Sequence, residues 1–131
     1  MAISVGLLDH YNVRTRHLDE TVRFYADVLG LTNGPRPDFP VPGAWMYSDG
    51  RPVVHLVDIA ATDETQKTGT GALHHVAFVS RGFEAMQQRL AARGTTFRTA
   101  MAAGGDIMQI FVTDPNGVVI ELNYDITREK A

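Results

Sequence analysis

Cysteine is absent from the 131-residue chain, which excludes disulfides, thiolate metal sites and a thiol nucleophile. Any metal must therefore sit on nitrogen and oxygen. Strong charge of either sign is also missing: 12 Lys and Arg against 15 Asp and Glu leave a formal net charge of -3, and no basic stripe offers a surface for nucleic acid. No apolar run reaches the length of a membrane span, and the opening MAISVGLLDH has no basic n-region. Neither a nucleic-acid nor a membrane partner is expected, and a cytoplasmic protein is the default reading. Proline is sparse except in one place, where PRPDFPVPG at residues 35–43 holds four of the six; such a stretch cannot be helix and implies a stiff loop or edge segment.

Hydrophobic residues at 44% and charged residues at 21% describe an ordinary globular chain, long enough for one domain with a shared core. The chain nearly repeats itself. His10 and His75 stand 65 residues apart, Gly30 and Gly94 stand 64 apart, and His55 and Glu121 stand 66 apart, as expected of one supersecondary unit used twice. Up to three imidazoles and a carboxylate gathered in a cleft between such units would suit a divalent metal.

Residues 6–14 alternate as a strand, with Leu8, His10, Asn12 and Arg14 on one face and Tyr11 and Val13 on the other. Asp19 and Glu20 mark a helix start, Val22, Tyr25 and Leu29 give helical spacing, and Gly30 stops it. Strands are expected at Trp45–Tyr47 and at 52–59, the latter with Val53, His55 and Val57 opposite Val54 and Leu56. Residues 60–71, AATDETQKTGTG, read as a linker. The pattern then restarts with a strand over 73–79, a helix through Phe83, Met86 and Leu90 to Gly94, a strand over 96–101, and a hairpin of 107–113 and 118–124 around Asp114, Pro115, Asn116 and Gly117. Each half reads as strand, helix, then three strands: module one over about 6–59 and module two over about 72–124.

This duplication, the opening DHYNVRTRHLDETVRFYADVLGL, the HHVAF strand and the closing FVTDPNGVVIEL resemble the vicinal oxygen chelate superfamily, which includes glyoxalase I, extradiol dioxygenases and the fosfomycin and bleomycin resistance proteins. The resemblance implies an α+β fold of two βαβββ modules, whose open, barrel-like mixed sheets surround a metal cleft. It implies one divalent ion (Ni, Co, Zn, Mn or Fe(II)) on His10, His75 and Glu121, with His55 where glyoxalase I has a fourth, carboxylate ligand. It also puts Arg14 where glyoxalase I holds the carboxylate of glutathione.

The residues themselves carry part of this reading. His75 is preferred to His74 because it shares a face with small Ala77, whereas His74 shares one with Val76 and Phe78. Glu121 lies between Ile120 and Leu122, where an unpaired buried carboxylate would be costly and a metal would offset that cost. His55 is either a fourth ligand or an acid/base group, and Arg14 is either a solvated charge or an anion site. Asn12 shares the face of His10 and is a candidate substrate contact, whereas Tyr11, Trp45, His17 and His74 read as packing or surface residues. The Pro-rich loop and the loop at Gly104 and Gly105 are candidate walls of the cleft.

The expected function is a glyoxalase I-like lyase or isomerase, with the metal as Lewis acid for a substrate with vicinal oxygens and Glu121 or His55 moving the proton. An Fe(II) extradiol dioxygenase is the alternative, since two histidines and a glutamate also make a facial triad. Phe111 stands against it, ten residues before Glu121 where extradiol enzymes usually carry tyrosine. A non-catalytic resistance protein that sequesters a drug is a third reading. A homodimer is expected, because pairing modules across chains covers open sheet edges.

Overall fold

The computed structural model describes residues 2–129 and divides into two units, Met1–Gln66 and Lys67–Ala131. The division falls inside the stretch read as a linker. That stretch is not free chain. Arg16 donates to the carbonyls of Ala60, Thr62 and Glu64, and its backbone N–H donates to Gln66 Oε1. Residues 60–66 are thereby held on the first unit. Beyond them, Gly69 N–H donates to the Asn116 carbonyl in the second unit.

The first unit runs β1 (Tyr11–Thr15), α1 (Leu18–Arg23), a π-helical turn (Phe24–Val28), β2 (Thr32–Gly34), β3 (Gly43–Ser48) and β4 (Arg51–Asp58). Its four-stranded sheet has the order β1-β4-β3-β2, with β1 parallel to β4 and the other pairs antiparallel. Val13 and Thr15 of β1, Ala44 and Met46 of β3, and Val54 and Leu56 of β4 are buried with Phe24, Tyr25 and Val28. These alternate residues form the core. The opposite face carries Asn12, Arg14, Trp45, His55 and Val57, as period-two alternation requires.

The second unit repeats the plan with β5 (Val76–Ser80), α2 (Phe83–Ala92), β6 (Arg98–Met101), β7 (Ile107–Thr113) and β8 (Val119–Asp125). Its sheet order is β5-β8-β7-β6, with β5 parallel to β8. Both sheets are open four-stranded sheets of mixed direction, so the α+β, twice-used βαβββ architecture is present. Leu90 of α2, Ile110 and Val112 of β7, and Ile120, Leu122 and Tyr124 of β8 are buried. The closing hairpin turns on Asp114, whose Oδ1 accepts from the N–H groups of Asn116 and Val118. Gly117 there has φ +86, and a Cβ at that position would collide with the Gly69 backbone.

Two expected strands are shorter than alternation suggested. β1 begins at Tyr11 rather than residue 6, and β5 at Val76 rather than Leu73. His10 and His75 therefore stand one residue ahead of their strands, not within them. The helix expected to run to Gly30 is α for six residues only and continues as a π-helical turn, with Leu29 N–H bonding Phe24 O five residues back. No helix among the described residues is long and apolar enough to cross a membrane.

Candidate metal centre and substrate cavity

Register makes the internal repeat concrete. Asn12 is paired with His55 across β1 and β4, and Ala77 is paired with Glu121 across β5 and β8. Asn12 and Ala77 each lie two residues after the histidine that precedes their strand, so His55 and Glu121 are equivalent positions. Trp45 and Phe111 are equivalent too, each the antiparallel neighbour of that residue.

In the second unit, His75 Nε2 lies 3.6 Å from Glu121 Oε1. Two ligand atoms each about 2.1 Å from one ion lie about 3.0–3.6 Å apart, depending on the angle between them. The pair therefore meets the spacing of two neighbouring ligands. Glu121 is 9% exposed, and its other oxygen accepts a bond of 2.9 Å from Asn123 Nδ2. Gln109 Nε2 in turn donates to Asn123 Oδ1 at 3.3 Å. This relay turns Oε1 toward the imidazole. His75 Nδ1 lies 2.9 Å from His74 Nδ1; with Nδ1–H of His75 donating to His74, Nε2 is the nitrogen left to bind, and such a bond from the second ring nitrogen is common for ligating histidines. His74, read as a surface group, thus has a positioning contact.

In the first unit, His10 stacks on His55 with centroids 3.6 Å apart and planes 9° from parallel, and His55 stacks on Trp45 at 4.0 Å and 13°. His10 Nδ1 is 2.6 Å from Asp9 Oδ2. That hydrogen bond, opposed in part by some desolvation, holds the Asp9 carboxyl below the usual carboxylate range. An ionised carboxylate only accepts, so Nδ1 carries the proton and Nε2 keeps the lone pair. His55 Nε2 is 2.9 Å from the Pro52 carbonyl, which fixes the proton on Nε2 and frees Nδ1 by the same logic. Burial first, and the neighbouring His10 second, push the His55 imidazole below its ordinary value. An imidazole binds an ion in its own ring plane, and two rings with centroids 3.6 Å apart and planes 9° from parallel have no common point within bonding distance of both. So stacked, His10 and His55 do not aim their lone pairs at one ion. This speaks against both being ligands together.

Asn12 and Arg14 share the face of His55, as alternation predicts. Arg14 is engaged: its Nε donates to Glu64 Oε2 at 2.7 Å and to Oε1 at 3.0 Å, an ion pair that raises the guanidinium pKa further. Among the described residues no cluster of three His, Asp or Glu side chains forms; the structure brings the sequence candidates together as two pairs, His10 with His55 and His75 with Glu121. The donor set, imidazole nitrogen and carboxylate oxygen with one nitrogen of each ring already bonded, fits a divalent cation. Asp9, Asn123 and Gln109 were not singled out from sequence. Asn123 alone was within reach, two residues from Glu121 and hence on its face.

Comparison with known proteins agrees with this fold. The profile of the Glyoxalase/Bleomycin resistance protein/Dioxygenase superfamily matches residues 7–122. The chain belongs to this superfamily. A protein named Glyoxylase I 4, from Arabidopsis thaliana, is 29% identical over 120 residues, which is 88% of this chain and 68% of that protein. Among solved structures, a putative glyoxalase family protein from Bacillus anthracis matches with a TM-score of 0.76 at 21% identity, over 95% of this chain and 99% of the other. The fosfomycin resistance protein FosX from Listeria monocytogenes matches with a TM-score of 0.71 at 16% identity, over 98% and 100%. Both structures are alike in fold. The superfamily spans different reactions on one scaffold, so the activity of this member has to be argued from its own side chains.

Proposed function

We propose that this superfamily member is a divalent-metal-dependent lyase or isomerase of the glyoxalase I kind, acting on a small substrate with two neighbouring oxygens. The observation that carries this reading is the His75 and Glu121 pair, 3.6 Å apart, with its carboxylate buried and oriented by Asn123. The similarity to Glyoxylase I 4 adds weight to the lyase over other reactions of the superfamily.

In this reading His75 Nε2, Glu121 Oε1 and His10 Nε2 hold one ion of Ni, Co, Zn, Mn or Fe(II). The ion, when bound, supplies Lewis-acid stabilisation of negative charge on the substrate oxygens. His55 is the base rather than a fourth ligand. Its Nδ1 is free, its Nε2–H is fixed by Pro52, and its depressed pKa keeps it neutral near pH 7, the form that accepts a proton. Trp45, stacked on the ring, holds the imidazole in one orientation and shields it from water. Asn12, opposite His55 on β1, is placed to contact substrate. Glu121, if not a ligand throughout, is the second candidate for the proton transfer. The working form is a homodimer.

The ring-cleaving alternative loses support at Phe111, which lies beside Glu121 and has no hydroxyl to donate. Metal analysis and turnover test the proposal together. The purified protein is expected to hold one ion per chain and to convert methylglyoxal plus a thiol, and His75→Ala and His10→Ala are each expected to lose the ion. Oxygen consumption with a catechol after Fe(II) loading, without methylglyoxal turnover, would move the chain to the dioxygenases. Full metal content in His75→Ala would end the metal reading.

A further inference from the structure

The first unit holds a cavity of about 310 Å³ on the His55 face of its sheet, bounded by β1, β3, β4 and the Pro-rich loop. Its lining is asymmetric in chemistry. Trp45, Phe39, Pro40, Val41 and Val57 give flat or apolar walls, Arg14 and Arg36 give two cations, and no carboxylate lines it. Glu64 already neutralises Arg14. Among the described residues Arg36 has no acidic partner: its Nη2 donates to the Val41 carbonyl, its guanidinium lies 4.9 Å over the Phe39 ring, and its Nε is buried with no hydrogen-bond partner. A buried donor left unpaired is costly and calls for an acceptor. Gly43, at the start of β3, is required by the Leu56 backbone carbonyl, which a Cβ there would strike, and the Arg36 guanidinium lies over the same position.

We infer that this cavity takes a small monoanion with a flat apolar body, its anionic group recognised by Arg36 and its body lying against Trp45 and Phe39. One unneutralised guanidinium calls for one anionic group. Neighbouring rings, Phe39 lying 6.2 Å from Trp45, favour a planar aromatic or conjugated body over a flexible peptide. The volume is at the small end of ligand pockets, which start at about 300 Å³. An aromatic 2-oxo acid has this shape and charge. The inference stands on the first unit's cavity alone and goes beyond the lyase proposal. Glutathione, with two carboxylates and an ammonium, fits less well, since Arg14 is already held by Glu64.

The experiment uses the full chain stripped of metal, so that it is independent of turnover. Phenylglyoxylate and its neutral methyl ester are titrated by calorimetry and by fluorescence, where Trp45 reports alone because the chain has a single tryptophan. The acid is expected to bind saturably, to quench Trp45, and to bind about tenfold or more tighter than the ester. Arg36→Gln is expected to remove that preference while leaving the ester unchanged, and Arg36→Lys to restore part of it. Equal binding of acid and ester by the wild-type protein would overturn the inference without any variant, as would an Arg36→Gln that weakens both alike or a ligand that leaves Trp45 fluorescence unmoved. His75→Ala is expected to bind the acid as the wild type does; loss of its metal and turnover with the acid still bound separates this inference from the lyase proposal.

Discussion

The division of labour proposed for His55 and Glu121 rests on what each side chain touches. They occupy equivalent register positions, but Glu121 accepts from Asn123 and faces His75, whereas His55 is clamped between His10 and Trp45. Asn123→Ala would free the carboxylate to rotate, and metal affinity is expected to fall about 10- to 100-fold, measured by competition with a chelating dye. His55→Gln should behave in the opposite way, retaining the ion in elemental analysis while kcat falls by about 100-fold or more, the ordinary contribution of a general base. If His55→Gln loses the metal as His75→Ala does, then His55 is a ligand and the stacked arrangement must rearrange on metal binding. From sequence, the four candidate residues stand out by their offsets. Their pairing was not, because ring stacking and the Pro52 bond depend on side-chain rotation, which residue spacing does not encode.

At the scale of elements, the hairpin was read almost to the residue: β7 spans Ile107–Thr113 as expected and β8 is shifted by one, because Asp114 and Gly117 specify the turn chemically. β1 and β5 were read too long, since alternation continues upstream through residues with no partner strand. The start of α2 shows another device invisible in local sequence. Its N-cap is Gly82, which has no side chain to cap with. Instead Glu129, 47 residues on, accepts from Gly82 N–H at 2.9 Å and from Phe83 N–H at 2.5 Å. These backbone bonds hold the Glu129 carboxyl below its ordinary 4.5. A depressed folded-state pKa means the contribution to stability is complete above the unfolded value and disappears as pH falls through the folded one. The melting temperature of the wild type is therefore expected to fall more steeply than that of Glu129→Gln as pH drops from about 5 to 3, with the variant the less stable above that window; parallel curves would show that the cap carries no charge-dependent stability.

For the whole molecule, the surface says more about assembly than the composition did. Val79 is 99% exposed, and Ile3, Val5, Leu7 and Leu8 are exposed along the segment before β1. Val79 lies beside Asn123 on the face that carries Ala77 and Glu121. An aliphatic side chain left wholly in water, two positions along β5 from the neighbour of a candidate ligand, is what an interface between copies would cover. Burying a valine completely contributes about 1.5–3 kcal/mol relative to exposure, and each copy would contribute one. A charge in its place would have to be desolvated. Val79→Asp is expected to leave the circular dichroism and melting curve of the chain near those of the wild type, because the residue touches no core, and to shift sedimentation equilibrium from a dimer toward the 14.4 kDa monomer. The metal affinity of that monomer then discriminates further. If it stays at the dimer's value, one chain holds the ion alone; if it collapses with the dimer, the His10 and His75 pairs serve one ion only across two copies.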